Sequence, residues 1–220
     1  MHYEIKLCGM TNREDVKEAL ALGADYVGFV FHAASKRAVS AARVKRILSA
    51  MDGPVRAVGV FVNAAREEVL RTVEECGLYA AQLHGDEDPA EFAKLGVRLW
   101  RALRVGPRGP DPAPGKWEVD RYLVDASVPG LYGGTGVKAD WHQAARLAAS
   151  LPVLLAGGLT ADNVQEAIGV VRPHGVDLIT GIEAEPGRKD HVKMRRFVAA
   201  VREAEEHGAG RGEPGARGVR

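Results

Sequence analysis

Two short apolar runs each end on a side chain that can transfer a proton. Residues 5–7 are followed by the thiol of Cys8, and residues 122–124 by the carboxyl group of Asp125. If both runs are strands of one parallel barrel, their carboxyl ends meet at the face where barrels keep their active sites. A thiol and a carboxylic acid placed together there could act as general base and general acid. Cys8 and Asp125 are therefore the candidate catalytic residues.

The residues next to Cys8 support a chemical role for its thiol. Side chains of a strand alternate between two faces, so Lys6 and Glu4 share the inner face with Cys8. A free thiol has a pKa of about 8.5, and a nearby ammonium group increases the thiolate fraction at neutral pH. The alternative interpretation is that Cys8 is a small buried hydrophobic residue. The other cysteine, Cys76, lies on the apolar stripe of a predicted helix and is interpreted as structural.

Asp125 follows its strand in the same way, and Leu123 and Arg121 share its face. A carboxyl group in a partly desolvated barrel mouth has a raised pKa and can donate a proton near neutral pH. The alternative interpretation is a helix cap or a salt bridge in a loop. The residues alone leave both interpretations open.

Glycines follow the seventh and eighth predicted strands, where many barrels bind a phosphate group through free backbone amides. Gly157 and Gly158 lie after the seventh strand, and Thr180 and Gly181 after the eighth. A further glycine-rich run, 133–136, is interpreted as a flexible loop that can approach a ligand closely. Two such loops together favour a phosphate site over simple turns. The expected ligand is a phosphorylated small molecule.

Short apolar runs alternate with stretches of helical spacing along the whole chain, which is typical of repeated βα units. The predicted strands are residues 3–7, 25–31, 55–62, 79–83, 97–102, 121–124, 153–155 and 176–179. Eight units in about 200 residues predict the α/β class, as a single-domain (β/α)8 TIM barrel. A doubly wound open sheet is the alternative, but no GxGxxG motif follows the first strand.

Amphipathic helices are predicted from apolar residues at helical spacing. Their stripes are marked by Val16, Val44, Val69, Val164 and Phe197. Three helix starts are also expected. Thr11 with Glu14 fits a capping box, and Asn63 and Thr160 are candidate N-caps.

Two segments interrupt this pattern. Residues 105–116 are rich in proline and glycine, which disfavour a helix, so the fifth helix is expected to be short or missing. Residues 207–220 are rich in glycine and arginine and poor in apolar residues, so they are expected to form a flexible tail. The predicted catalytic domain is therefore 1–206 and the tail 207–220.

The composition narrows the classes of partner. Lys and Arg total 30 against 29 for Asp and Glu, so no broad charge is expected to attract nucleic acid or a membrane. Two cysteines are too few for a disulfide framework or a structural zinc site. The sequence shows no signal-peptide pattern and no run of about 18 apolar residues. We expect a soluble, cytoplasmic protein, a monomer or a homodimer, with a small-molecule substrate and no bound metal.

The joint pattern of motifs resembles the phosphoribosylanthranilate isomerase family over about residues 3–200. The matching positions are the segments 6–11, 24–31, 35–37 and 82–86, then Asp125 and the segments 133–136, 156–159, 175–183 and 186–190. This ordered set is far more specific than any single motif. Lys36 stands where the family usually has proline, and Ile179 and Thr180 where it usually has two serines.

The resemblance implies an isomerase of tryptophan biosynthesis that needs no cofactor. Its reaction is an Amadori rearrangement of N-(5-phosphoribosyl)anthranilate to 1-(2-carboxyphenylamino)-1-deoxyribulose 5-phosphate. By resemblance, Asp125 is the general acid that protonates the ribose ring oxygen, and Cys8 is the base that removes the proton from C2. Arg37 matches the contact to the anthranilate carboxylate, a task suited to a guanidinium group. His84 and Asp177 are expected to bind the substrate, with Asp177 near the anthranilate amine.

Two other functions remain open. The histidine-pathway sugar isomerase performs the same type of rearrangement on a phosphate-binding barrel, but it has an aspartate where Cys8 stands. A non-catalytic barrel that binds a phosphorylated metabolite would need neither a base nor an acid. The presence of both Cys8 and Asp125 favours the phosphoribosylanthranilate isomerase.

Overall fold

The computed structural model describes residues 2–106, 109–126 and 141–209. Within them, eight parallel strands form a barrel, which is closed by pairing of the fourth strand with the fifth. The strands are β1 (Glu4–Leu7), β2 (Tyr26–Val30), β3 (Ala57–Phe61), β4 (Ala80–Leu83), β5 (Leu99–Gly106), β6 (Arg121–Ala126), β7 (Val153–Leu155) and β8 (Gly175–Leu178). Each overlaps a predicted strand, so the (β/α)8 barrel is confirmed and the doubly wound open sheet is wrong.

Side chains fill the amino-terminal end of the barrel. The interior cluster that begins at this end and extends along the barrel consists of Tyr26, Val58, Ala80, Trp100, Ala102, Leu123, Leu154 and Ala156. Arg121 binds Glu4 through two hydrogen bonds, Nε to Oε2 at 2.9 Å and Nη2 to Oε1 at 2.8 Å. Tyr26 also donates its hydroxyl to Glu4, at 3.1 Å. This end is therefore a packed core and not a pore.

Helices surround the strands. The described residues contain α1 (Arg13–Ala21), α2 (Ala41–Ser49), α3 (Arg66–Cys76), α4 (Pro89–Phe92), α5 (Trp141–Ala148), α6 (Val164–Val171) and α7 (His191–Ala209). All five residues that mark the predicted stripes are buried between helices and strands: Val16, Val44, Val69, Val164 and Phe197. The helices α4 and α5 carry none of these stripes. Burial of one apolar face per helix thus forms the outer layer of the core.

No α-helix is found in residues 109–120, between β5 and β6. A short strand, Gly109–Asp111, pairs antiparallel with β5 instead, and a 3₁₀ turn at Pro114–Lys116 leads toward β6. Tyr122 donates its hydroxyl to the carbonyl of Pro114 at 2.8 Å and holds this turn in place. The predicted loss of the fifth helix is confirmed, because prolines without amide donors cannot continue a helix.

The three predicted N-caps are wrong by a few residues each. Helix α1 is capped by Asn12 and not by Thr11, because the Asn12 side chain accepts a backbone N–H of the first turn. Helix α6 begins after Asn163, which accepts the backbone N–H of Thr160. Asn63 lies before the N-cap of α3 and has a φ of 53°, and its side chain binds the loop after β4. Cap-type residues cluster at these helix starts, and spacing alone does not identify the capping residue.

Helix α7 continues to Ala209, beyond the predicted domain boundary at residue 206. The rest of the predicted tail, residues 210–220, lies outside the described residues, as does the glycine-rich run 133–136. The boundary and the tail stay predictions. Each helix within the described ranges is too short or too polar to cross a membrane.

Candidate active site

A cavity of about 570 Å³ opens at the carboxyl ends of the barrel strands. Eight of the nine predicted site residues line it: Cys8, Arg37, His84, Asp125, Gly157, Gly158, Asp177 and Thr180. The ninth, Gly181, is not among its lining residues. The fold therefore brings the predicted thiol, carboxyl group and glycine loops together at the face where barrels keep their active sites.

Cys8 lies directly after β1 and is 1% exposed. Its sulfur fits there because residue 28 on β2 is glycine, and a Cβ at Gly28 would lie 2.3 Å from the Cys8 Sγ. Burial raises the pKa of the Cys8 thiol, although the charge and hydrogen bond of Lys6 act in the opposite direction. The expectation that Lys6 favours the thiolate is correct for its own effect. The pKa of Cys8 is nevertheless raised, because the loss of solvent around the thiol outweighs the effect of Lys6.

Lys6 forms a fully buried ion pair with Asp177, with Nζ and Oδ1 2.9 Å apart. The two residues are register partners on the adjacent strands β1 and β8, so both side chains point into the barrel. Burial acts to lower the pKa of Lys6, but Asp177 and Cys8 outweigh burial and the pKa is raised. Lys6 is therefore a permanent positive charge beside the Cys8 sulfur.

Asp125, within β6, is 7% exposed and lies beside His84 in the cavity wall. His84 Nε2 lies 3.7 Å from Asp125 Oδ2. Burial and the positive charges of Lys6, Arg101 and Arg104 lower the pKa of His84 to about 4. The imidazole is consequently neutral at neutral pH, and Asp125 has an uncharged neighbour on this side.

Gln82 is a cavity residue without a predicted role in the site. It is 1% exposed, and its Nε2 lies 3.2 Å from His84 Nδ1. Its Oε1 has no hydrogen-bond partner among the described residues. The alternation of the fourth strand was the available signal, because residues 82 and 84 point to the same side.

Arg37 and Glu183 form a two-pronged ion pair at the edge of the cavity. Arg37 Nε and Oε1 are 2.8 Å apart, and Nη2 and Oε2 are 2.6 Å apart. Lys189 lies 3.2 Å from the same carboxylate. The hydrogen bond to Glu183 raises the pKa of Arg37; burial acts to raise the pKa of Glu183, but Arg37 and Lys189 lower it overall. The family resemblance includes Glu183 but assigns it no task.

The two glycine loops lie side by side. Gly157 and Gly158 have φ values of 86° and 66°, which favour glycine, and both line the cavity. Thr180 begins a 3₁₀ turn after β8 and lines the cavity too. A Cβ at Gly181 would lie 2.4 Å from the carbonyl oxygen of Leu159. Gly181 thus allows the loops after β7 and β8 to touch, and its phosphate contact stays a prediction.

Comparison with known proteins places the chain in a family. The family model described as N-(5'phosphoribosyl)anthranilate (PRA) isomerase matches residues 5–200. A relative named N-(5'-phosphoribosyl)anthranilate isomerase, from Acidithiobacillus ferrooxidans, is 46% identical over 204 residues, covering 90% of this chain and 97% of the relative. Another of that name, from Magnetococcus marinus, is 43% identical over 210 residues, covering 96% and 100%.

Solved structures give the same answer. Phosphoribosyl anthranilate isomerase from Thermotoga maritima has a TM-score of 0.84 and 34% identity, covering 92% of this chain and 100% of that chain. A phosphoribosyl anthranilate isomerase in complex with reduced 1-(o-carboxyphenylamino)-1-deoxyribulose 5-phosphate has a TM-score of 0.78 and 31% identity, with the same coverage. The predicted enzyme class, an isomerase of tryptophan biosynthesis, is confirmed. The chain belongs to the N-(5'-phosphoribosyl)anthranilate isomerase family.

Proposed function

We propose that Asp125 and Cys8 carry out the Amadori rearrangement of N-(5-phosphoribosyl)anthranilate to 1-(2-carboxyphenylamino)-1-deoxyribulose 5-phosphate. One observation carries this proposal: the thiol and the carboxyl group, far apart in the sequence, line one cavity together with Arg37. The reaction needs one group that supplies a proton and one that removes a proton. The two residues are suited to these tasks.

In the first step, Asp125 gives its proton to the ribose ring oxygen. The bond between this oxygen and C1 breaks, while the anthranilate nitrogen donates its lone pair to C1. The products are a hydroxyl group, a protonated Schiff base and the Asp125 carboxylate, so charge and atoms balance. Because Asp125 is almost fully buried, little solvent surrounds the reacting atoms.

In the second step, the Cys8 thiolate removes the proton from C2. The neighbouring iminium group accepts the electron pair that remains, which acidifies this carbon and gives an enolamine. The enolamine then tautomerises to the ketone. Lys6 stabilises the thiolate that must form first, and burial of the sulfur makes this thiolate a stronger base.

We assign the anthranilate end of the substrate to Arg37 and Asp177. The pair with Glu183 uses Nε and Nη2 of Arg37, and Nη1 is the nitrogen that this pair leaves for the anthranilate carboxylate. Asp177 is anchored by Lys6 through Oδ1 and accepts a hydrogen bond from the anthranilate amine with its other oxygen. His84, on the opposite side from Asp177, contacts the sugar.

We assign the phosphate group to the loops after β7 and β8. Gly157 and Gly158 let a phosphate approach the backbone amides, and Thr180 adds a hydroxyl donor. A solved relative with 31% identity holds reduced 1-(o-carboxyphenylamino)-1-deoxyribulose 5-phosphate, a ligand that carries both a carboxylate and a phosphate. The arginine and the glycine loops of this chain match these two anionic groups.

The loss of phosphoribosylanthranilate fluorescence tests the assignment. We expect Cys8→Ser and Asp125→Asn each to lower kcat by at least about a hundredfold, the low end for loss of a general base or acid. Both variants should still bind the reduced product analogue, since Arg37 and the glycine loops are intact. Cys76→Ser, on the apolar side of α3, is the matched control. Unchanged turnover in both site variants would reject these roles.

A solved relative also supports a proposal for the assembly of the chain. A solved relative from Thermotoga maritima, with 33% identity and a TM-score of 0.77, is described as a monomer generated from a dimeric phosphoribosylanthranilate isomerase. We propose a monomer or a homodimer in the cytoplasm. Light scattering after size-exclusion chromatography distinguishes the two assemblies.

A further inference from the structure

His84 presents one ring nitrogen to Asp125 and the other to Gln82. Nε2 lies 3.7 Å from Asp125 Oδ2, and Nδ1 lies 3.2 Å from Gln82 Nε2. Strand β4 explains the arrangement, because Gln82 and His84 are two positions apart and point to the same side. The three side chains therefore form a row along the cavity wall.

The contact with Gln82 bears on which ring nitrogen of His84 carries the hydrogen. An amide nitrogen can only donate, and Gln82 Nε2 is the atom next to His84 Nδ1. With the Gln82 amide in this orientation, Nδ1 is the unprotonated nitrogen. In a neutral imidazole the hydrogen is consequently on Nε2, the nitrogen on the side of Asp125.

Burial and nearby positive charges keep the His84 ring neutral. Lys6 on β1 and Arg101 and Arg104 on β5 are positive charges close enough to act on His84. The titratable side chains that line the cavity with it are Cys8, His32, Lys36, Arg37, Asp125 and Asp177. Burial and the three cations lower the pKa of His84 to about 4. At the working pH the ring is a donor with a single hydrogen and not a competing acid.

We propose that Gln82 and His84 are positioning residues for the general acid, with Gln82 setting the imidazole tautomer and His84 offering Asp125 an N–H group. The idea rests on the proposed role of Asp125. When Asp125 gives up its proton, its carboxylate can accept the Nε2–H bond after a closure of about 0.5 Å. The opposite tautomer would present a lone pair instead. That lone pair would accept the proton of Asp125 and compete with the ribose oxygen.

Nitrogen-15 NMR of the free protein tests the tautomer without any activity measurement. In the wild type at neutral pH we expect the shift of an unprotonated nitrogen at Nδ1 and of a protonated nitrogen at Nε2. In Gln82→Met, which keeps the volume but loses the donor, we expect a mixture of tautomers. A wild-type ring that is protonated on Nδ1 or on both nitrogens would overturn the proposal.

Kinetics of His84 variants separate a donor from a proton carrier. Glutamine can place an N–H near the position of Nε2 and does not titrate, whereas methionine has no donor. We expect kcat of His84→Gln to exceed that of His84→Met by about tenfold, a difference that corresponds to ~1.4 kcal/mol. Equal kcat values for the two variants would contradict the positioning role.

A double-mutant cycle tests whether Gln82 acts through His84. Gln82→Met should lower kcat by about tenfold in the wild-type background and by less than about twofold in His84→Gln, because contacting residues are not additive. Equal effects in both backgrounds would mean that Gln82 acts independently. If Asp125→Asn is as active as the wild type, the proposed role of Asp125 as general acid is rejected. The NMR result still decides the tautomer in that case.

Discussion

Arg37 and Glu183 are joined by two hydrogen bonds across 146 positions of sequence, with Nε–Oε1 at 2.8 Å and Nη2–Oε2 at 2.6 Å. The pair connects the loop after β2 with the hairpin of Glu183–Glu185 and Arg188–Lys189. A guanidinium group held at two points has lost most of its rotational freedom before a ligand arrives. Such preorganisation saves entropy on binding.

Replacing Glu183 should therefore weaken substrate binding more than chemistry. We expect Glu183→Gln to raise KM by about tenfold, equivalent to ~1.4 kcal/mol, with a smaller change in kcat. Glu185→Gln is the matched control, because Glu185 lies in the same hairpin and its side chain is 66% exposed. Steady-state kinetics of both variants give the comparison. A fall in kcat at constant KM would argue against an orienting role.

The pH dependence of kcat/KM should reveal the raised pKa of Cys8. In the role proposed for Cys8 the thiolate is the active form, so the rate should rise as the thiol loses its proton. Burial moves that rise to a higher pH than an exposed thiol would show. Profiles from about pH 6 to pH 10 measure it, and a rise already complete at about pH 7 would contradict this assignment.

Lys6→Met should displace this rise to still higher pH, because Lys6 lowers the pKa of Cys8. Lys17→Met, a change at an exposed position of α1, is the control and should leave the profile in place. Both variants are compared over the same pH range. An identical profile for Lys6→Met and the wild type would show that the ammonium has no influence on the base.

Gly28→Ala should displace the sulfur of Cys8, the proposed base. The new Cβ would lie 2.3 Å from Cys8 Sγ, so the thiol has to move, and misplacement of a reacting group by about 1 Å can lower the rate about a hundredfold. We expect this loss in kcat. Gly169→Ala is the control, since a Cβ there meets nothing within 4 Å and would stabilise α6 by about 0.5–1 kcal/mol. Full activity of Gly28→Ala would mean that the Cys8 sulfur can move aside without loss of rate.

Arg101→Met should destabilise the fold. Arg101 Nη1 lies 2.6 Å from Glu87 Oε2, and both side chains are 1% exposed, so the variant leaves a buried carboxylate without its cation. The expected loss in the free energy of unfolding is about 3 kcal/mol. The exposed pair of Arg196 and Asp162 offers a control, and Arg196→Met should cost less than about 1 kcal/mol. Urea unfolding curves measure the free energy of unfolding of both variants. Equal losses would contradict the expected difference between the buried and the exposed ion pair.

The barrel could be predicted from sequence because its signals are local. Strand alternation places Glu4, Lys6 and Cys8 on one face, and the structure finds all three inside the barrel. Proline and glycine in residues 105–116 remove the fifth helix through backbone constraints that act at each position. The residues at the carboxyl ends of the strands then converge because the barrel closes.

The partners of the site residues could not be predicted in the same way. The contact of Arg37 with Glu183 depends on the path of two loops at opposite ends of the chain, and no periodicity encodes it. The direction of the Cys8 pKa depends on how completely the fold removes solvent, which is a property of the assembled molecule. The row of Gln82, His84 and Asp125 likewise needs the distance between two separate strands.

Among the described residues, the Glu4–Arg121 pair and the interior cluster above it fill the amino-terminal end of the barrel, so the cavity opens at the carboxyl ends of the strands. The sugar-phosphate substrate enters and the keto product leaves through this same opening, one after the other. A lingering product molecule therefore blocks the next arrival. Because substrate and product share one opening, we expect product inhibition that is competitive with substrate.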